Sequence, residues 1–247
     1  MSDVTPDIDS PNPKAHEAAL AAGMVDEAER DRVMDLFGVK YWQAGECAVY
    51  RAPENNLYDY TAYIGVHEFE VERGDSVFYL KKTEDELELF RMSGRAEVRS
   101  EHMAIVIRGY MPDDAIRVLG PNSTRLPYVN GCSTKQVFSP ERNGDPTLQY
   151  LLIPPFSAEQ AHHIHSTVRV VYVWRGKGRS IVGMEGKEVI TELLPGMVAI
   201  LEPMCPHHFD TPQGESIEVI PFHVWSSGPG ENNHPMMRGT HLMDQGG

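Results

Sequence analysis

From residue 41 onward the chain is written in short apolar runs, rich in Val, Ile, Tyr and Phe and separated by Gly, Pro, Asn and Asp. The runs lie at 47–51, 57–66, 76–80, 87–92, 103–107, 115–119, 135–138, 148–153, 169–174, 180–182, 188–191, 197–201 and 217–225. β-Branched and aromatic side chains suit a pleated, half-buried surface, and Gly and Pro stand where the backbone must reverse. Many such runs in succession predict an all-β fold, a sandwich or a barrel. With 247 residues the chain can form one large β unit or two small ones, and its 41% hydrophobic content supplies a sizeable core.

Residues 1–40 have a different character. Residues 1–12 read as a disordered acidic lead. Asn12-Pro13 can cap and start a short helix through Ala15, Ala18, Ala19 and Ala22, ending at Gly23. Asp26 and Glu29 then have the spacing of a capping box, and Val33, Met34, Leu36 and Phe37 give an apolar stripe closed by Gly38. This segment reads as a helical arm that packs on the core or on a partner subunit. At the other end, residues 228–247 read as an irregular surface tail carrying His234 and His241.

Charge and cysteine content narrow the function classes. With 22 basic and 36 acidic residues the net charge is −14, which disfavours nucleic acid and anionic membranes as partners. Three cysteines, at 47, 132 and 205, include no CxxC pair; an odd, sparse set argues against a disulfide framework and fits a reducing compartment. No stretch has the length and apolarity of a membrane span. The expectation is a cytoplasmic protein with a small-molecule substrate, acting as a homodimer.

Chemistry concentrates in the second half, where eight of the eleven histidines lie from His162 onward. His163 and His165 alternate with Ile164, so on a strand both imidazoles aim at one face while His162 takes the other. A usable metal site needs a third ligand from a neighbouring strand. The candidate is His207: Pro195-Gly196 makes a turn, an apolar run follows, and Pro203 and Pro206 fix the backbone ahead of it. A faint internal repeat also runs through the chain. Residues 89–96 parallel 171–178, and 111–119 parallel 194–201, which puts Lys81 and Thr83 where the second copy has His163 and His165.

These residues resemble the cupin superfamily. His163-Ile164-His165 with Gly176 matches its first motif; Pro195-Gly196, Pro203 and Pro206-His207 match its second. The resemblance covers about residues 148–225 and implies a jelly-roll barrel. Carried back through the repeat it implies a bicupin with a helical arm at 1–40, a degenerate cupin-like β domain at 41–140, a metal-binding cupin at 141–227 and a tail at 228–247. His163, His165 and His207 are then the metal ligands. The position where the family usually offers a Glu, four residues past the second His, holds Arg169. A guanidinium beside a cation needs an anion between them, so an inward Arg169 would anchor an anionic substrate group; a bulge turning it to solvent is the alternative.

A three-histidine cupin is similar in its ligand set to the thiol dioxygenases and the β-diketone-cleaving dioxygenases, which implies non-haem Fe(II), although imidazoles also suit Zn, Ni, Mn or Cu. His223, on a late strand, and Gln149 or Tyr150, on the strand before the motif, are further candidates for the pocket. Tyr172 and Trp174 fall on the face opposite the histidines, where packing is the expected role. Cys205 reads as a buried inert thiol and His208 as a residue outside the ligand set. The leading expectation is an Fe(II) dioxygenase acting on a small anionic chelating molecule. A metal-dependent lyase or isomerase of a small carboxylate or sugar-like substrate and a non-catalytic binding cupin are the competing ones.

Overall fold

A computed structural model describes residues 27–52, 58–121, 123–142, 144–212 and 214–224. The helix expected over 12–23, Asp26 of the capping box, and the tail with His234 and His241 lie outside the described residues. Helix α1 (Glu27–Leu36) leads into β1 (Val39–Trp42), β2 (Ala48–Arg51), β3 (Tyr60–Ile64), β4 (His67–Val71), β5 (Ser76–Lys82), β6 (Leu87–Ser93), β7 (Ala96–Ser100), β8 (Met103–Ile107) and β9 (Ala115–Leu119). After β10 (Leu126–Pro127) and a 3-10 turn at Val129–Gly131 come β11 (Ser133–Phe138), β12 (Thr147–Ile153), β13 (Val168–Gly176) and β14 (Gly178–Val182). The series ends with β15 (Val189–Leu193), β16 (Val198–Leu201), β17 (His207–Asp210) and β18 (Ile217–Val224). No helix among the described residues is long and apolar enough to cross a membrane.

The strands form two barrels, each with a large and a small antiparallel sheet. The first has the order β2-β3-β8-β5-β6-β9 with β4-β7 as its small sheet. The second has β1-β16-β13-β18-β12-β11-β10 with β15-β14-β17. Written from matching ends, β9-β6-β5-β8-β3-β2 corresponds to β1-β16-β13-β18-β12-β11 place by place. The registers agree at the shared start: β5·β8 opens on Ser76↔Ile107 and β13·β18 opens on Val168↔Val224. This is a tandem arrangement of two jelly-roll barrels, the architecture that the family resemblance implies.

The correspondence also corrects the sequence repeat. Similarity sets β6 against β13, whereas the strand order puts β5 in that place and β4, not Lys81 and Thr83, opposite the histidine segment. Short β-branched runs closed by Gly recur at every hairpin, so such sequences match well one strand out of step. The β14–β15 hairpin has no counterpart in the first barrel, because β5 turns directly into β6, with the Thr83 N–H donating to the Glu86 carbonyl at 2.9 Å.

The large sheets of the two barrels pack face to face. Phe78, Leu80, Leu89, Ile105 and Ile107 from the first barrel share one core with Tyr150, Val170, Tyr172, Trp174, Ile220 and Phe222 from the second. Alternation sends the other face of β13 inward, where Val171 and Val173 join Leu151, Ile153, Cys205 and Phe209. β13 is therefore buried on both faces along Val168–Trp174, which is why it reads as an apolar run interrupted by Arg169 alone. Gly176 ends it for a steric reason. Its φ is +74°, and a Cβ there would stand 1.8 Å from the Ser216 carbonyl oxygen.

The sequence runs miss β1, β4, β7, β10 and β17. β4 (HEFEV) and β7 (AEVRS) alternate charged exposed residues with a narrow buried face, so neither shows an apolar run. β1 lies in the expected arm, yet it pairs along the edge of the second barrel, Val39↔Leu201 to Trp42↔Val198. β11 pairs with β12, so the second hydrogen-bonded unit takes in strands from before residue 141. α1 buries Val33, but Leu36 of the expected stripe is 70% exposed.

The shared core makes the two barrels one thermodynamic unit. The Phe78 and Phe222 rings meet across the sheets at 4.7 Å. Phe222→Ala should cost about 3–5 kcal/mol. In urea unfolding both barrels should lose structure in one transition, displaced to lower denaturant; separate transitions would contradict this.

Candidate metal centre

The histidine segment is not the regular strand that alternation suggests. Residues 161–167 are irregular apart from one bridge, in which His163 and His207 exchange backbone hydrogen bonds in both directions, at 3.1 and 2.9 Å. The Met204 N–H donates to the His165 carbonyl at 2.7 Å, and Met204 holds a left-handed φ of 65° to do so. Three backbone bonds thus clamp the two ligand segments together before any side chain is considered. Strain of this kind persists where surrounding contacts enforce it.

The three imidazoles converge. Ring centroids are 4.5 Å apart for His163–His165, 4.7 Å for His163–His207 and 5.4 Å for His165–His207. One nitrogen from each falls within 4.8 Å of the others, a grouping that could hold a metal ion. His163 Nδ1 lies 2.7 Å from the Ala161 carbonyl, and His207 Nδ1 lies 2.7 Å from the Cys205 carbonyl. A carbonyl only accepts, so both Nδ1 atoms carry the proton and each ring presents Nε2 as its lone-pair nitrogen. His207 Nε2 is buried and meets no hydrogen-bond partner among the described residues. Burial, then the charges of Arg169 and His163, holds the His207 pKa well below its ordinary value, so the ring is neutral and ligand-ready. The donor set therefore fits a borderline divalent cation.

Arg169 faces inward. It is 5% exposed and lines the same narrow cavity as His163, His165 and His223. On β13 it stands opposite His223 of β18 and Leu201 of β16, and its Nη1 donates to Thr167 Oγ1 at 2.9 Å. Leu151, Phe209 and Pro221 supply the apolar wall of a cavity of about 10 Å³. Gln149 is fully buried on the inward face of β12, in line with Leu151. Tyr150 is a correction: the pleat turns it into the core between the barrels. Its ring meets Trp174, and its hydroxyl donates to Glu218 and accepts from Arg125.

The remaining histidines and cysteines sort as the alternation suggests. His162 turns away from the cluster, with Nε2 donating to the Gly183 carbonyl at 2.6 Å and Nδ1 at 2.8 Å from His208 Nδ1. Cys205 is buried in the core of the second barrel, and burial pushes its thiol up to about 12. All three cysteines are free. In the first barrel, the row matching Arg169 and His223 holds Val77 and Val106, and its interior is built from Val71, Val77, Val98 and Ala104. Among the described residues the histidine group that could hold a metal lies in the second barrel.

Sequence reasoning missed two cavity residues, Glu159 and Gln160. Glu159 is 8% exposed, its backbone N–H donates to the Phe209 carbonyl at 3.0 Å, and its Oε1 accepts from the Phe209 N–H at 3.2 Å. Gln160 Oε1 accepts from the Tyr128 hydroxyl at 2.7 Å. Both precede the motif in a stretch with no periodicity. No local sequence signal marks either residue.

No protein-family model matches the chain, and no curated protein matches it. Solved structures do. The putative glyoxylate-induced protein of Pseudomonas aeruginosa is similar at 12% identity and TM-score 0.48, over 76% of this chain and 81% of that one. The S161A mutant of Bacillus subtilis oxalate decarboxylase OxdC is similar at 8% identity and TM-score 0.46, over 76% of each chain. A cupin 2 conserved barrel domain protein from Leptotrichia buccalis is similar at 15% identity and TM-score 0.41, over 74% of this chain and 91% of that one. The cupin fold of this chain rests on its own strand order and registers.

Two outcomes follow from the geometry. His165→Ala and His207→Ala should each abolish stoichiometric metal uptake, measured by elemental analysis, with little loss of fold by circular dichroism, because the clamp is made of backbone bonds. The second concerns Glu159, whose carboxyl is pushed from 4.5 up to about 7 by burial, with Arg169 and the Phe209 N–H opposing. A carboxyl raised in the folded state adds stability below its unfolded value and loses it as pH rises through the folded one. Metal-free protein should therefore lose stability as pH rises from 4.5 to about 7, and Glu159→Gln should flatten that part of a urea-denaturation series.

Proposed function

We propose that this chain is a metal-dependent enzyme acting on a small, anionic, metal-chelating molecule, and that it is a non-haem Fe(II) dioxygenase. The observation that carries the reading is a group of three histidines, two of which, His163 and His165, share one cavity with a buried guanidinium, that of Arg169. His163, His165 and His207 would hold the ion. When bound, it supplies open positions and undiminished positive charge for a chelating substrate and O₂. The chain supplies the rest. Arg169 binds the anionic end of the substrate and fixes its orientation, and Leu151, Phe209 and Pro221 limit water.

A second reading is a metal-dependent lyase or isomerase, favoured by Glu159 and His223 in the same cavity, since either residue could accept or return a substrate proton. Metal analysis of anaerobically purified protein separates the two. Iron at one per chain, with O₂ consumed on turnover of small carboxylates, is the expected result. Turnover with zinc, nickel or manganese and no O₂ uptake selects the second reading. Arg169→Ala should raise KM for an anionic substrate by about 10–100-fold, the loss of one charged hydrogen-bonded pair, while leaving metal content unchanged.

A further inference from the structure

Two buried ionisable groups of opposite sign line the cavity, and the dioxygenase reading uses only Arg169. Glu159 enters only the second reading, as a proton carrier. It is not one of the three grouped ligands, yet it is held as firmly as they are. Its backbone N–H and its Oε1 are both bonded to Phe209, two residues past His207, so its carboxyl is fixed relative to the metal-facing strand. Chemistry that needed only an anion anchor would gain nothing from a buried carboxylate in the same small space. A carboxylate there repels a second anionic group and accepts a hydrogen bond from a donor.

We propose that Glu159 sets the specificity of the site, selecting a small monocarboxylate that carries a hydroxyl on the neighbouring carbon, with the carboxylate on Arg169 and the hydroxyl donating to Glu159. The inference rests on the metal-centre reading. It excludes dicarboxylates of the same size, whose second carboxylate would face Glu159, and simple carboxylates, which leave Glu159 without the donor.

Full-length protein loaded with Co(II) is titrated at mildly alkaline pH with glycolate, oxalate and acetate, read by calorimetry and by the visible absorption of Co(II). Glycolate should bind at least about tenfold more tightly than either oxalate or acetate, the discrimination expected of a site built around a hydroxyl donor. Glu159→Gln should tighten oxalate by about tenfold and weaken glycolate. Glu159→Asp, which keeps the charge, should keep the parent's order of preference. Oxalate or acetate binding the parent as tightly as glycolate overturns the proposal, a result that needs no variant to fold. So does a Glu159→Gln protein whose affinities shift equally. If the parent takes up no Co(II), the metal-centre reading falls and this inference with it; if it takes up Co(II) and binds none of the acids, the anion-anchoring role of Arg169 falls and this inference with it. If Co(II) and the acids bind without discrimination, only the role of Glu159 falls.

Discussion

The structure depends on the packing of two large sheets against each other. Each jelly roll would otherwise expose the outer face of its main sheet, a continuous apolar surface too large to leave in water. Here those faces close on one another, with Phe78, Phe222, Tyr172 and Trp174 in the seam. The burial is driven by the hydrophobic effect, which is non-directional, so register has to come from elsewhere. It comes from the ladders: β13 is pinned by β16 on one side and β18 on the other, and that double pairing fixes which of its residues look outward and which look into the barrel.

The site follows from that pinning. Because Val168, Val170 and Tyr172 go to the seam, Arg169 goes to the lumen, opposite His223. The histidines are placed differently, by backbone bonds between an irregular segment and β17. The same fold therefore offers a rigid position and a clamped loop position side by side. In the first barrel the corresponding row holds Val77 and Val106. In this row the two lumens differ by side chains set on the same large-sheet strand order.

Much of this was legible in the sequence. Most strands and the packing role of Trp174 follow from alternation and turn residues, because those signals are local; His163, His165 and His207 were legible from their motifs, although an irregular segment and not a strand places the first two. What was not legible is non-local. β1 reads as part of an arm because its partner is β16, far along the chain. β4 and β7 hide because their exposed faces are charged. Tyr150 and Gln149 could not be separated until the register of β12 was known, and Glu159 lies where no period marks the backbone. The repeat was detected one strand out of step because hairpins resemble one another more than barrels do.

The pairing of β1 with β16 bears on how the chain is made. Val39 is among the first described residues to leave the ribosome, and its partner Leu201 emerges 162 positions later, the difference of the two residue numbers. The first barrel has all of β2 to β9 available long before then and can close early, as domains tend to during synthesis. β1 cannot; it must remain an unpaired edge beside a folded barrel until the second half is nearly complete. A register set late in this protein is thus written by a segment that precedes both barrels, and one edge of the second barrel closes only when β16 meets a strand made 162 positions earlier.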